Sequence, residues 1–213
     1  MTLSEAPEVA AELVRLGRDF YTRGWMLGTS GNLSAVLTTD PLRLAITASS
    51  IDKGRMHPAQ ILEVGGDGKV VLESTAHGWP SAETLLHLEV VRSTGAKAVL
   101  HTHSVWATVL SDFHHDRHGF FIKDYEMLKG LEGVKTHQHH EWIPIVENTQ
   151  DMAALALKAR DVFDKNPGVH GLLVRKHGMY TWGPDLATAA RHVEILEFLL
   201  EAVGRREMME PQF

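Results

Sequence analysis

The sequence predicts one α/β domain over residues 1–213, and three observations carry that expectation. Helix-periodic and strand-type runs alternate along the whole 213-residue chain. No internal repeat, low-complexity tract or linker divides them. A composition of 44% hydrophobic and 23% charged residues matches a packed core under a solvated surface. At this length a chain buries roughly 70% of the surface that its unfolded form exposes, so a metal is not needed merely to hold the fold together.

Val9, Leu13, Leu16 and Phe20 recur at three- and four-residue intervals after Pro7, which predicts an amphipathic helix to about Arg23, ended by Gly24. Leu33 to Leu37 and Leu42 to Thr47 read as a hairpin around Thr38-Thr39-Asp40-Pro41, and Lys69 to Leu72 reads as a strand after the Gly65-Gly66-Asp67-Gly68 turn. Ser81 opens a helical pattern through Leu85, Leu88 and Val91 to Gly95. Ala98-Val99-Leu100 is a buried strand leading into His101-Thr102-His103, and a helix from Val105 to Leu110 follows. Ile143 to Val146 is a strand and Thr149 to Phe163 a helix. Gly171 to Arg175 and Met179 to Trp182 form a second hairpin, Leu186 to Val203 is a closing helix, and the tail Gly204 to Phe213 is expected to fray.

The formal net charge of −6 is the opposite of the basic footprint that phosphate-backbone binding requires, so no nucleic-acid partner is expected. No uncharged apolar run approaches the roughly 20 residues that span a bilayer, and Met1-Thr2-Leu3-Ser4-Glu5 lacks the basic flank and apolar block of a secretion signal. The expectation is a cytoplasmic protein without a membrane partner. The absence of cysteine excludes disulfides, thiolate catalysis and sulfur-ligated metal, which leaves His, Asp and Glu as metal ligands.

Side chains on a strand alternate faces, so His101 and His103 project to one side with Cα atoms ~7 Å apart, a spacing that suits one metal ion. His137-Gln138-His139 has the same spacing. What distinguishes the first pair is its setting at the end of an apolar strand just before Ser104 and a helix. A third ligand is needed if a position is to stay open for substrate, and His177 is the candidate: Gly178 beside it permits a sharp chain reversal, although a surface hairpin histidine reads the same way. His114, His115, His118, His137, His139 and His140 read as solvated loop residues. Glu83 stands at a helix start, where the helix dipole favours an acid and Ser81 supplies a cap. Glu126 is spaced to pair with Lys129 on a helix. Thr29-Ser30-Gly31-Asn32 and Thr47-Ala48-Ser49-Ser50 have the small, hydroxyl-bearing composition that lets N–H groups surround a phosphate, and ordinary turn chemistry has the same composition.

Taken together, Ser30-Gly31-Asn32-Leu33-Ser34, Ile46-Thr47-Ala48-Ser49-Ser50, Pro80-Ser81-Ala82-Glu83, His101-Thr102-His103 and Lys176-His177-Gly178 occur in an order that resembles the class II aldolase and adducin superfamily. The resemblance covers nearly the whole chain. It implies a three-layer α/β/α fold with a central, largely antiparallel sheet, one zinc ion per subunit, a small sugar phosphate as substrate and a homotetramer. The segments Tyr125 to Gly130, Pro144 to Thr149 and Val174 to Gly183 are similar to a branch whose members dehydrate a methylthio-substituted ketose phosphate in methionine salvage. That likeness implies His101, His103 and His177 as zinc ligands and Glu126 as catalytic acid/base; Lys129, one helical turn from Glu126, is a candidate positive neighbour and substrate contact. It also implies Ser30, Gly31, Asn32, Ser49, Ser50 and Ser81 around the phosphate. Animal members of the branch carry cysteine where this chain has Glu83, whereas sugar-phosphate aldolases use a glutamate there. Glu83 is therefore open between a displaceable zinc ligand, an auxiliary base and a partner of a substrate hydroxyl. Two rival readings share the fold: a sugar-phosphate aldolase or epimerase with Glu83 as base, and a non-catalytic adducin-like scaffold.

Overall fold

Two sets of apolar side chains, one on each face of a single twisted sheet, organise the chain. The computed structural model describes residues 6–71 and 78–209. Its helices are α1 (Ala6–Thr22), α2 (Thr84–Thr94), α3 (Val105–Phe113), α4 (Met152–Lys165) and α5 (Leu186–Met209). Its strands are β1 (Asn32–Thr39), β2 (Leu42–Thr47), β3 (Ile61–Gly65), β4 (Ala98–Thr102), β5 (Gly119–Lys123), β6 (His140–Val146), β7 (Gly171–Val174) and β8 (Gly178–Gly183). They form one sheet in the order β3-β2-β1-β4-β8-β7-β6-β5, antiparallel at every step except between β6 and β7.

The period-two alternation of a strand assigns residues to the two cores. Leu33, Ala35 and Leu37 of β1 and Ala98 and Leu100 of β4 join Leu13 and Phe20 of α1, Leu110 of α3 and Leu196 and Leu200 of α5. On the opposite face Val36, Val99 and Tyr180 pack with Leu86 and Val90 of α2 and Leu155 and Phe163 of α4. The result is the three-layer α/β/α arrangement that the family resemblance implies. Among the described residues no helix is long and apolar enough to cross a membrane.

Several elements differ from the sequence expectation. Ile61–Gly65 is a strand that was not predicted, because its central Glu63 breaks the apolar pattern; that carboxylate is buried against Arg43 of the neighbouring strand at 2.8 Å. The expected strand Lys69 to Leu72 is reduced to one bridge, Val64 to Val70, where Asp67 and Gly68 turn the chain; Leu72 lies outside the described residues. The edge strand Gly119–Lys123 was also missed. Helix α2 starts at Thr84 and α4 at Met152, the latter capped by Asp151, whose carboxylate accepts from the Ala154 N–H at 3.0 Å. The tail is not frayed from Gly204: α5 continues to Met209, while residues 210–213 lie outside the described residues.

Under the sheet, Glu197 of α5 is 3% exposed and accepts a hydrogen bond from Thr102 Oγ1 at 2.8 Å. Burial pushes its carboxyl up to about 7. An acid whose pKa is raised by folding makes the fold lose stability as pH climbs from the unfolded value, roughly 4.3, through the folded one. Glu197→Gln is therefore expected to flatten the pH dependence of stability across that window and to be more stable than the parent at pH 8 by on the order of 2 kcal/mol. Urea unfolding at pH 5 and pH 8 measures it.

Candidate active site

The register of the three central strands determines which polar groups meet. Asn32 of β1 lies opposite His101 of β4, which lies opposite Tyr180 of β8. His101 is fully buried; its ring stacks on Tyr180 with centroids 3.9 Å apart, and its Nδ1 lies 3.0 Å from the Met179 carbonyl. A carbonyl only accepts, so Nδ1 carries a proton and Nε2 is the nitrogen turned toward the other polar groups. His103, two residues on and on the same side, brings its Nε2 to 2.8 Å from that nitrogen.

His177 reaches the pair from the β7–β8 connection. The chain reverses there through Lys176, whose φ is +54°, and not through Gly178 as the sequence suggested. Gly178 is required for another reason: a Cβ on it would collide with the Thr102 carbonyl of β4. The small residue lets β8 lie close enough to β4 for His177 to face His101 and His103, at centroid distances of 5.0 and 4.5 Å. Gly31 has a similar task. Its φ is +69°, and a Cβ would stand 2.5 Å from the His101 carbonyl.

Glu83 closes the group. Its Oε1 is 3.1 Å from His177 Nε2 and 3.5 Å from His101 Nε2, while Oε2 accepts from Asn32 Nδ2 at 2.5 Å and Ser81 Oγ at 3.4 Å. Burial opposes its charge, but His101 and His177 outweigh that and hold the carboxyl well below the usual carboxylate range. Burial, reinforced by His101 and His177, pushes His103 down to about 3, so its imidazole is neutral at ordinary pH. The four ligand atoms of Glu83, His101, His103 and His177 lie within 4.8 Å of one another, and among the described residues this is the one group of three or more such side chains so arranged. Three imidazoles and an ionised carboxylate are a donor set that fits a divalent cation.

The hydroxyl-bearing loops flank this group. Ser81 Oγ accepts from the Glu83 N–H at 3.2 Å, one turn before α2 begins. Ser30 Oγ donates to the Leu27 carbonyl at 2.7 Å, the Ser49 N–H donates to Trp79, and Ser50 sits at φ +59°. Sequence reasoning missed Lys53, which is 1% exposed and joins the two loops by donating to the Thr29 carbonyl at 3.3 Å and the Ile51 carbonyl at 2.9 Å. Burial pushes its ammonium down to about 8, against the pull of Glu83 and Asp52. The hydroxyl-rich loops are visible in the sequence; a lysine next to Asp52 carries no local signal that separates a buried cation from a surface pair.

Glu126 is outside the cluster. It sits on a 3₁₀ turn, Glu126–Gly130, with its side chain 70% exposed and its carboxylate paired with Lys129. Of the histidines expected to be solvated, His114 is not: it is 6% exposed, stacked on Phe120 and 3.0 Å from Glu207 of α5. His139 contacts the buried Glu141 at 2.7 Å, an acid that also receives His170.

Fold and site together define a class II aldolase-type protein, and a profile of the class II aldolase and adducin N-terminal domain matches residues 11–203. The chain belongs to that family. Within it, the chain is 43% identical over 197 residues to the methylthioribulose-1-phosphate dehydratase of Methylococcus capsulatus, covering 92% of this chain and 93% of the relative. It is likewise 43% identical over 194 residues to the dehydratase of the same name from Sorangium cellulosum, covering 91% and 90%. Among solved structures, an L-fuculose-1-phosphate aldolase from Thermus thermophilus shares the fold with a TM-score of 0.74 at 24% identity, over 95% of this chain and 97% of that one.

The close approach of β8 to β4 gives a test. Gly178→Ala should lower unfolding free energy by about 1–3 kcal/mol, the usual cost of overpacking. Denaturant titration measures the loss, and a divalent-metal titration should show weaker binding because His177 is displaced from His101.

Proposed function

We propose that this chain dehydrates 5-methylthioribulose 1-phosphate to 2,3-diketo-5-methylthiopentyl 1-phosphate in methionine salvage, in the cytoplasm, with one zinc ion per subunit. The observation that carries the proposal is the convergence of three imidazoles and one carboxylate in a chain that matches dehydratases of that name over nine-tenths of its length. His101, His103 and His177 would hold the cation, with Glu83 as a fourth, displaceable donor. When bound, it would supply Lewis-acid stabilisation of the negative charge that develops on the substrate's C2 oxygen.

The chain's own groups do the remaining work. A carboxylate takes the C3 proton, and a carboxyl gives one to the C4 hydroxyl, which leaves as water; the resulting enol tautomerises to the diketone. Ser30, Gly31, Asn32, Ser49, Ser50 and Ser81 would bind the phosphate, and Lys53 adds a positive charge behind the two loops, so that binding energy remote from the reacting carbons orients them.

Glu126 is assigned the proton transfers, with Lys129 beside it, and we propose that it serves the cluster of a neighbouring copy in a homo-oligomer, a tetramer by family resemblance. Two observations support this. Glu126 faces solvent within its own chain, and Val105, Val109 and Phe113 leave an apolar stripe exposed along α3, which starts directly after His103 and Ser104.

The aldolase reading breaks C3–C4 instead and yields two fragments. Incubation with 5-methylthioribulose 1-phosphate followed by mass spectrometry is expected to give a single product lighter than the substrate by one water; two shorter fragments, one carrying phosphate, would refute the proposal. Glu126→Gln should lower turnover at least roughly a hundredfold while retaining metal. Co-expression of Glu126→Gln with His103→Ala chains should restore part of the activity, since mixed oligomers then contain sites with both groups intact. No recovery would place Glu126 in its own chain's site or outside catalysis.

A further inference from the structure

One turn after Glu83, helix α2 carries a histidine that the proposed reaction does not use. His87 is completely buried, with its ring edge-on to Tyr180 at a centroid distance of 5.6 Å. Its Nδ1 is 2.7 Å from Ser34 Oγ and its Nε2 is 2.5 Å from Asn32 Oδ1. Asn32 is itself buried and places Nδ2 2.5 Å from Glu83 Oε2.

The chemistry of these groups leaves one assignment of the protons. An amide oxygen only accepts, so His87 Nε2 carries a hydrogen and donates it. The ring is fully buried and its two nitrogens meet only a hydroxyl and an amide oxygen, with no carboxylate to balance a charge, so it carries one proton and Nδ1 accepts from the Ser34 hydroxyl. With Oδ1 engaged by His87, the Asn32 amide cannot flip, and only its N–H₂ can face Glu83. The sequence of donations is therefore Ser34 to His87, His87 to Asn32 and Asn32 to Glu83. It ends on Oε2 and leaves Oε1 to face His177 and His101.

We infer that Ser34, His87 and Asn32 form a buried hydrogen-bond relay that orients the Glu83 carboxylate, and that His87 is a positioning residue for the cluster. The inference rests on reading that cluster as a metal centre. No proton moves along the relay; its effect is orientation. If His87 no longer donates, Asn32 Oδ1 is left buried without a partner, and rotation of the amide would turn that oxygen toward Glu83 Oε2. Outer partners of this kind tune metal affinity by about 10- to 100-fold.

The test compares wild type, His87→Phe, His87→Gln, Asn32→Leu and the double variant His87→Phe/Asn32→Leu. It reads zinc affinity by chelator competition, the visible spectrum of the cobalt-substituted protein, and thermal stability. His87→Phe and Asn32→Leu should each weaken zinc binding by about 10- to 100-fold and shift the cobalt spectrum, and the double variant should lose little more than either single one. His87→Gln, which can still donate to Asn32, should recover much of the affinity. A merely structural His87 would lower thermal stability while leaving affinity and spectrum of the folded protein unchanged, and that result overturns the inference. If His87→Phe does not fold, Ser34→Ala withdraws only the far end of the relay: a smaller loss of affinity in the same direction supports the inference, and unchanged affinity overturns it. A wild-type protein that binds no zinc or cobalt overturns the metal-centre reading itself, and the relay with it.

Discussion

A largely buried, ionised carboxylate is the constraint on which this site depends. Removing a carboxylate from water is costly unless its charge is met by donors and opposite charge, and Glu83 is met on every side: two imidazoles at Oε1, an amide and a hydroxyl at Oε2. Each partner comes from a different part of the chain. Asn32 is on β1, Ser81 precedes α2, His101 is on β4 and His177 lies between β7 and β8. A carboxylate so placed requires the central strands to keep one register, because a slip of one residue would turn His101 or Asn32 to the opposite face of the sheet.

The two-sided packing of the sheet makes that register hard to change. Leu100 and Val99 alternate into different cores, so a displaced β4 would bury neither correctly. Close backbone approach tightens it further: Gly31 against the His101 carbonyl and Gly178 against the Thr102 carbonyl are positions where a methyl group has no room. The fold thereby holds three rings against each other before any ligand arrives. An arrangement built in advance for a charge is what electrostatic catalysis needs, since little reorganisation remains for the moment of reaction.

How much of this the sequence showed follows from the range of the interactions. The relation between His101 and His103 was legible because it depends only on strand alternation. Most helices were legible through their apolar period, and the order of five short motifs pointed to the family. Contacts across the sheet were not legible bottom-up: nothing local ties Glu83 to His177, and resemblance supplied that link. His87 was hidden because it interrupts an apolar helical run without breaking its period, and Lys53 because a buried lysine beside an aspartate reads as a surface pair. β3 escaped notice for the converse reason, a buried acid in a strand whose partner, Arg43, lies on the neighbouring strand. His114 read as a polar loop residue because its partners Phe120 and Glu207 are supplied by elements distant in sequence.

The proposed metal centre joins three imidazoles and Glu83 at the ends of the central strands. The most direct measurement is anomalous scattering at the zinc edge from crystals of the zinc-loaded protein. One peak per chain is expected, about 2.0–2.1 Å from the nearest ring nitrogen of each of His101, His103 and His177. A peak instead between His139, Glu141 and His170, or none at the ends of β4 and β8, would contradict a metal centre at His101, His103 and His177.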